Sequence, residues 1–372
     1  MTLKPLNGIR ILDFTALPPG GFCTLMLADL GAEVIRVESP VQKGVPSLVV
    51  GQVALSRGKR SITLDLRNPA ASDILKRLIR SVDVVVENAK PGAMESRGFG
   101  YTHARAENNR VIWCAITGFG QTGPYAQYAG HDLSYLAHSG LLGALHMDPS
   151  SQPGISLTLQ AGALAAVIGI QSALLERTRS GEGAFLDISL SEAATWWLTC
   201  GINPLSDHPY VLASTPDRRL YRCADGRFVA VACAEPRTWG ALCDGLGVPE
   251  LKPTLHKKEE CVAAADKLAG IFLSRPAAEW VERLAPQGAA VTIVNQARQL
   301  LDDPHVQARR TVVESGGTPV PANPVRMLSP DGRCTETAVS PPPKVGQDTS
   351  EVLLSAGFLA AELEALSRSG II

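Results

Sequence analysis

A histidine and an aspartate stand side by side where proton chemistry could take place. The stretch Gly130-His131-Asp132 follows a strand-like run at 111–117 and a flexible turn around Gly120. Ligands of open α/β sheets bind beyond the carboxyl ends of the strands, so His131 and Asp132 are candidate catalytic residues. Imidazole takes up and releases protons near neutral pH, which suits an acid–base role. The alternative is that the pair only caps the apolar helix that follows it.

A second group of residues could hold an anionic ligand. Basic and amide side chains lie at or just after the carboxyl ends of the predicted strands. Each alone is typical of a solvated surface charge, but together they could bind phosphate, with which Arg and Lys pair strongly. The candidate binding residues are Arg36, Arg57, Lys59, Arg60, Asn88, Lys90, Arg97 and the turn residue Gly120.

The composition excludes several classes of function. With 35 basic and 36 acidic residues, the formal net charge is −1, so no global field attracts nucleic acid or an anionic membrane. The N-terminus lacks the apolar core of a signal peptide, and the longest apolar run, 161–175, looks too short and interrupted for a membrane span. The eight cysteines have no zinc-like spacing. We therefore expect a cytoplasmic protein with no metal, no nucleic-acid partner and no membrane segment.

Strands and helices alternate along the first half of the chain. Short β-rich runs, separated by helical runs, lie at 9–14, 32–38, 61–66, 83–87, 111–117 and 184–190. This alternation predicts an α/β fold with a doubly wound parallel sheet. The first turn, Pro18-Pro19-Gly20-Gly21, lacks the G-x-G-x-x-G pattern, which argues against a dinucleotide site.

The second half of the chain has a different pattern. Residues 220–232 are typical of a hairpin that turns at Asp225-Gly226, and helical runs and a strand at 290–294 follow. These features predict a smaller α+β domain. We place the large domain at 1–201, a linker at 202–218 and the small domain at 219–315.

Ordered motifs run along nearly the whole chain. They are GIRILDF at 8–14, ADLGAEVIRVE at 28–38, KRSITLDL at 59–66, VENAKPG at 86–92, TGFGQTGP at 117–124, GHD at 130–132, ALLER at 173–177 and GEG at 181–183. With these motifs the chain resembles the family III CoA-transferase (CaiB/BaiF) superfamily, which includes the α-methylacyl-CoA racemases. The resemblance implies an acyl-CoA ligand, whose phosphates would suit the basic residues named above.

The resemblance also implies an assembly and roles for individual residues. Residues 316–372 are expected to return to the large domain, and two subunits are expected to interlock as rings in a homodimer. His131 stands where the racemases carry a catalytic histidine. Glu235, in Cys233-Ala-Glu-Pro236, is similar to a family glutamate near that histidine, although it would also serve as the cap of the helix beginning at Pro236.

The chain departs from the family at one important position. Both branches carry an aspartate just before the helix that matches 159–177; it is the nucleophile in transferases and the second acid–base group in racemases. Here that position is Thr158, whose hydroxyl is a poor base and a poor substitute for a carboxylate. Three interpretations therefore stay open: α-proton transfer on a 2-methylacyl-CoA, CoA transfer between carboxylic acids, and acyl-CoA binding by a diverged, non-catalytic homologue.

Overall fold

The computed structural model describes residues 2–145, 153–200, 215–257, 260–337 and 339–372. The chain divides into a large unit, formed by residues 1–209 and 309–372, and a small unit, formed by residues 210–308. Most of the linker predicted at 202–218 lies outside the described residues. The sequence placed the end of the small domain at 315, whereas the structural division falls at 308.

A parallel sheet forms the centre of the large unit. Its strands are β1 (Arg10–Asp13), β2 (Glu33–Glu38), β3 (Arg60–Thr63), β4 (Val84–Glu87), β5 (Ile112–Thr117) and β6 (Phe185–Ser189). They lie in the order β3-β2-β1-β4-β5-β6, and every neighbouring pair is parallel. This is the strand order of a doubly wound α/β fold. The parallel sheet expected from the sequence is therefore confirmed.

Helices cover both faces of this sheet. They are α1 (Pro18–Asp29), α2 (Val53–Ser56), α3 (Ala71–Ile79), α4 (Ala93–Ser96), α5 (Tyr101–Glu107), α6 (Asp132–His138), α7 (Leu141–Ala144), α8 (Leu157–Ser180) and α9 (Leu190–Trp197). Successive strand side chains point to opposite faces, so each strand supplies two cores. Leu12 and Val85 pack with α3 and α5, whereas Ile11 and Val84 pack with α1 and α8.

The longest described helix, α8, has a high apolar content and is buried over 39 % of its most apolar window. By length and composition alone it could cross a membrane, although the core helix of a soluble protein passes the same test. Its 24 residues extend beyond the apolar run 161–175 at both ends, and Gly162 and Gly169 sit inside the helix without ending it. Gly162 lies where a Cβ would meet the Leu190 side chain at 2.3 Å. A small residue there lets α8 pack closely against α9.

The small unit combines an antiparallel sheet with helices. Strands β7 (Arg218–Arg222), β8 (Phe228–Ala232) and β9 (Val291–Ile293) pair in sequence order. Its helices include α10 (Pro236–Leu246), α11 (Cys261–Phe272) and α12 (Ala277–Leu284). The hairpin expected at 220–232 is β7–β8, with Gly226 at φ +78° in its turn.

Residues after the small unit return to the large one. Helix α13 (Pro304–Arg309) leads into a hairpin of β10 (Val312–Ser315) and β11 (Thr318–Pro321), and the chain ends with α14 (Thr349–Ser355) and α15 (Ala360–Arg368). Side chains of α14 and α15 join the core beneath β3 and α3. The sequence analysis missed the β10–β11 hairpin, because Pro319 and Pro321 argue against a strand.

Candidate functional site

From the neighbouring strands β1 and β4, the chain continues toward opposite edges of the sheet. The chain runs from β1 to β2 and β3, then crosses back to β4, so the crevice beyond the carboxyl ends of β1 and β4 is the topological switch point. The Ala16 N–H after β1 donates to Asn88 Oδ1 after β4 at 3.3 Å. Asn88 therefore joins the two loops that border the crevice, and its role in ligand binding stays a prediction.

His131 is the N-cap residue that directly precedes α6, and its side chain is exposed. Its backbone is extended, with φ −130° and ψ 179°, and its N–H donates to Ser134 Oγ at 3.4 Å. The His131 carbonyl accepts from the N–H groups of Ser134 at 2.9 Å and Tyr135 at 3.2 Å. These backbone bonds fix the residue at the helix N-terminus while leaving the imidazole accessible.

Tyr135 holds the two loops before α6 together. Its hydroxyl donates to the Gly130 carbonyl at 2.5 Å, and its ring contacts the Phe119 ring with centroids 5.1 Å apart. A Cβ at Gly118 would lie 2.2 Å from this ring, and one at Gly130 would lie 2.6 Å from it. Both glycines are therefore required by close packing that positions the residue before His131.

Asp132 caps α8 rather than standing free for chemistry. Its Oδ1 accepts from Thr158 N at 2.9 Å, Thr158 Oγ1 at 2.6 Å and Leu159 N at 3.3 Å. A carboxylate at a helix N-terminus satisfies unpaired N–H groups and complements the helix dipole. The structure thus gives Asp132 a capping contact through Oδ1, and its catalytic role stays a prediction. The capping alternative is observed for His131, which is the N-cap of α6, whereas Asp132 caps α8.

Thr158 is fully buried at the start of α8, and its hydroxyl is committed to Asp132. It does not present an acid or a base to an open cleft. The sequence prediction that Thr158 takes part in catalysis is therefore not supported by its geometry. Thr158 instead links the start of α8 to Asp132, the residue that follows His131 at the start of α6.

A cavity of about 330 Å³ lies beside His131. Its walls come from the start of α6 and from the segment that precedes α8, namely His131, Asp132, Leu133, Pro153, Gly154, Ile155 and Ser156. The imidazole thus borders open space on one side and a capped helix start on the other. This arrangement can bring a small reacting group to a single exposed acid–base side chain.

Four of the predicted phosphate ligands already have internal carboxylate partners. Arg57 forms a bidentate pair with Asp29 at 2.5 and 3.0 Å, with both side chains buried. Arg36 lies 3.4 Å from Glu38 and donates to Ser47 Oγ at 2.6 Å. Displacing a buried pair exposes an uncompensated charge, which is costly. We therefore do not carry Arg36 or Arg57 into the site.

Lys59 and Arg60 also serve the fold. The Lys59 ammonium is buried and donates to Thr24 Oγ1 at 2.7 Å, the Gly21 carbonyl at 3.1 Å and Asp13 Oδ2 at 3.4 Å. Burial lowers the pKa of Lys59 to about 8, an effect that Asp13 opposes. Arg60 bonds Glu33 at 2.8 Å and reaches Asp348 and Glu351 in the return segment. The sequence could not reveal these partners because they are distant along the chain.

Lys90 and Arg97 remain as candidate phosphate ligands. Both are exposed, and neither forms an ion pair with another residue in the described parts of the chain. They follow β4, on the same edge of the sheet as Asn88. Gly120 has a different position: it is buried at φ +84°, and a Cβ there would lie 3.6 Å from Asp187 on β6. Its positive φ allows the turn that precedes α6. Because Gly120 is buried, it does not offer an exposed surface to a ligand.

Glu87, the last residue of β4, was missed as a functional candidate. It is 6 % exposed and lines a cavity of about 350 Å³ together with Lys90 and Tyr101. Burial raises the pKa of Glu87 to about 7, and hydrogen bonds from the Ala89 N–H and the Trp113 side chain oppose that rise. A carboxylate at the end of an otherwise apolar strand, directly before Asn88, was the available sequence signal.

Comparison with known proteins decides the family. The profile of CoA-transferase family III matches residues 6–349. The chain belongs to this family. It is 32 % identical to the alpha-methylacyl-CoA racemase of Homo sapiens over 99 % of this chain and 97 % of that protein. It is also 32 % identical to the acetyl-CoA:oxalate CoA-transferase of Acetobacter aceti, over 88 % of this chain and 90 % of that protein.

Solved structures agree with the family III assignment. A CAIB/BAIF family protein from Brucella suis has a TM-score of 0.80 at 28 % identity, over 96 % of this chain and all of that one. Rv3272 from M. tuberculosis has a TM-score of 0.77 at 28 % identity, over 94 % and 99 % of the two chains. Family III enzymes that resemble this chain are racemases or CoA-transferases, and both groups act on CoA thioesters.

Within this family III chain, Glu235 belongs to the small unit and His131 to the large one. Glu235 is the N-cap of α10, and its carboxylate accepts from Thr238 Oγ1 at 3.0 Å. The capping alternative considered from the sequence is thus observed. The pairing of Glu235 with His131 stays a prediction.

Proposed function

We propose that this protein is an acyl-CoA enzyme that transfers the α-proton of a 2-methylacyl-CoA, in the manner of a racemase or epimerase, and that His131 is its acid–base residue. One contrast carries the proposal. The imidazole at 131 is exposed on a cavity, whereas the hydroxyl at 158, where a transferase would carry its nucleophile, is buried and bonded to Asp132.

The chemistry follows from the thioester. Its carbonyl acidifies the neighbouring C–H bond, so an imidazole nitrogen can accept the α-proton while the bonding electrons pass to the carbonyl oxygen as an enolate. Return of a proton to the opposite face of the α-carbon inverts the centre. With Thr158 unable to act as the second base, solvent water supplies that proton, and the imidazolium then releases its own proton to water.

The remaining parts of the proposal concern binding and assembly. Asn88, Lys90 and Arg97 lie beyond β4 and would receive the polar and phosphate groups of CoA, as charge-assisted contacts. The resemblance to family III supports a homodimer of interlocked subunits. We retain a cytoplasmic location and the absence of a metal as expectations from the sequence.

Isotope exchange tests the proposed reaction. The protein is incubated in deuterated water with the R and S forms of a 2-methylacyl-CoA, and mass spectrometry follows deuterium at the α-carbon. We expect incorporation together with loss of optical purity. Incorporation from neither enantiomer, across short and long acyl chains, would contradict the proposal.

CoA transfer between carboxylic acids is the second candidate. It is favoured by the equal identity of the chain to a racemase and to an acetyl-CoA:oxalate CoA-transferase. Transfer through an anhydride requires a carboxylate nucleophile, and the carboxylate of Asp132 lies on the His131 cavity but caps α8. Hydroxylamine should trap an acyl-enzyme if transfer occurs, and should trap none under α-proton transfer.

A non-catalytic homologue would behave in a third way. CoA esters would raise the melting temperature through binding to the folded state alone. Neither deuterium incorporation nor hydroxylamine trapping would then occur with any acyl chain.

A further inference from the structure

A large apolar cavity opens beside the His131 cavity. It has a volume of about 640 Å³ and lies between α1, α2, the start of α8 and the segment after β11. Its apolar walls include Phe22, Leu25, Met26, Ala54, Leu55 and Leu159. Pockets of this size and character are typical of sites for small organic ligands.

The two cavities share part of their walls. Ile155 and Ser156 line both the smaller cavity at His131 and the larger apolar cavity. Ile155 is 61 % exposed, although it is a large aliphatic residue. Ile155 therefore presents an exposed aliphatic side chain to both cavities.

The two charged residues in the wall of the apolar cavity have opposite signs. Arg57 and Asp29 lie in its wall, but they pair with each other, and Arg57 also donates to the Pro321 carbonyl at 3.2 Å. Because their opposite charges offset each other, the Arg57–Asp29 pair attracts a charged ligand weakly. The lining thus favours a hydrocarbon over an anion.

Another apolar cavity offers a useful comparison. It has about 460 Å³ and lies along Ile168 and Trp196, on α8 and α9. Among the described residues, none lines both this cavity and the His131 cavity. The cavity at Trp196 therefore has no described wall residue in common with the His131 cavity, whereas the cavity at Ala54 does.

We propose that the cavity lined by Phe22, Ala54 and Leu159 receives the acyl chain of the substrate, so that this protein selects long, apolar acyl-CoA thioesters over short or polar ones. The inference rests on the proposed function, because the α-carbon must stand at His131 for the chain to continue past Ile155. The cavity then sets the chain length rather than the reaction.

Binding of S-alkyl-CoA thioethers tests the inference without any turnover. Calorimetry with butyl, hexyl and decyl thioethers should show affinity rising with chain length, by up to about fourfold per buried methylene. Decyl-CoA should bind at least about 100-fold more tightly than butyl-CoA. Equal affinities along the series would overturn the inference.

Two variants locate the effect in this cavity. Ala54→Trp fills the cavity and should reduce the decyl-over-butyl preference at least tenfold, whereas Phe22→Ala enlarges it and should move the tightest-binding chain to a longer one. The matched control is Ala106→Trp on the exposed surface of α5, which should keep the wild-type preference. An unchanged preference in Ala54→Trp would overturn the assignment.

The remaining outcomes separate the two proposals. Chain-dependent binding without deuterium exchange would support the acyl cavity and contradict the proposed reaction. Deuterium exchange together with binding that does not depend on acyl-chain length would support the proposed reaction and contradict the acyl cavity. A change of oligomeric state in Ala54→Trp, with the chain preference intact, would assign the cavity to a second copy of the chain and overturn the inference. If no thioether binds, both proposals fail.

Discussion

The Thr158 hydroxyl donates a hydrogen bond to Asp132. Position 158 therefore offers no free carboxylate for catalysis. The Thr158 side chain is fully buried, and its Oγ1 lies 2.6 Å from Asp132 Oδ1. Thr158 therefore adds an uncharged hydrogen-bond donor to the contact between Asp132 and the start of α8. The exposed acid–base group on this side of the cavity is His131.

Removal of that donor should destabilise the protein. Thr158→Val keeps the shape of the side chain but leaves Asp132 without its shortest hydrogen bond, which should lower the free energy of unfolding by about 1.5–3 kcal/mol. Thr158→Ser retains the hydroxyl and is the matched control. Urea unfolding of both variants measures the difference. Equal stability of the valine and serine variants would mean that this bond contributes nothing.

Glu87 should make stability depend on pH. Burial raises its pKa to about 7 in the folded protein, above the ordinary value of 4.5. Between these values the folded state binds more protons than the unfolded state, so stability falls as pH rises. The loss should be on the order of 3 kcal/mol from pH ~4.5 to pH ~7. Glu87→Gln should flatten this part of the curve.

Urea unfolding of wild-type protein and Glu87→Gln at several pH values measures the effect. The two proteins should differ least at acid pH, where Glu87 is protonated and uncharged like glutamine. Parallel curves over the whole range would exclude titration of Glu87 as the cause.

At the scale of elements, the loop before α6 is held by an aromatic ring packed on two glycines. Neither Gly118 nor Gly130 has a positive φ, so packing against Tyr135 rather than backbone strain requires them. The same ring ties the TGFGQTGP turn to the start of α6. The position of His131 therefore depends on the contact between Tyr135 and Gly118, which belong to two separate segments of the chain.

A methyl group at Gly118 should disturb this contact. Gly118→Ala places a Cβ 2.2 Å from the Tyr135 ring and should cost about 1–3 kcal/mol of stability, with loss of turnover as His131 shifts. Gly143→Ala on α7 is the control, because no atom lies within 4 Å of its added Cβ. Thermal unfolding and exchange assays compare the two. A tolerated Gly118→Ala would show that Tyr135 does not position the loop.

The elements of the sheet were predictable from the sequence, whereas the partners of its charged residues were not. Buried parallel strands such as β4 and β5 appear as continuous β-branched and apolar runs. By contrast, Arg57 was predicted to bind phosphate, because its partner, Asp29, lies 28 residues away in the sequence. One-turn helices such as α2 and α4 also carry too little periodicity to be recognised.

The candidate site was predictable in its centre but not in its surroundings. His131 could be chosen from its type and its position after a strand, and Asn88 from its place at a strand end. The capping of α8 by Asp132 depends on the approach of two helix starts, which no local pattern reports. Glu87 was overlooked because its burial, rather than its residue type, makes it unusual.

At the scale of the molecule, the large unit is built from two separate stretches of chain. The return segment is attached to β3, since Asp348 accepts from the Ser61 N–H at 2.9 Å and Thr349 Oγ1 accepts from the Thr63 N–H at 3.0 Å. The small unit is thus an insertion between residues that rejoin the same sheet.

We expect the protein to be a homodimer in solution. Sedimentation equilibrium should give a mass twice that of the chain, and the subunits should not exchange without unfolding if they interlock. Mixing two differently tagged preparations under native conditions tests the second point. A monomer, or rapid mixing of tags, would contradict the interlocked assembly.

The most direct test of the account compares α-proton exchange in wild-type protein and in His131→Gln. Each protein is given the same 2-methylacyl-CoA in deuterated water, and binding of a non-reactive S-alkyl-CoA thioether is measured in parallel. We predict that the variant loses exchange by at least a hundredfold while its affinity for the thioether changes by less than about threefold. Exchange at the wild-type rate in His131→Gln would contradict the central claim that this imidazole removes the α-proton.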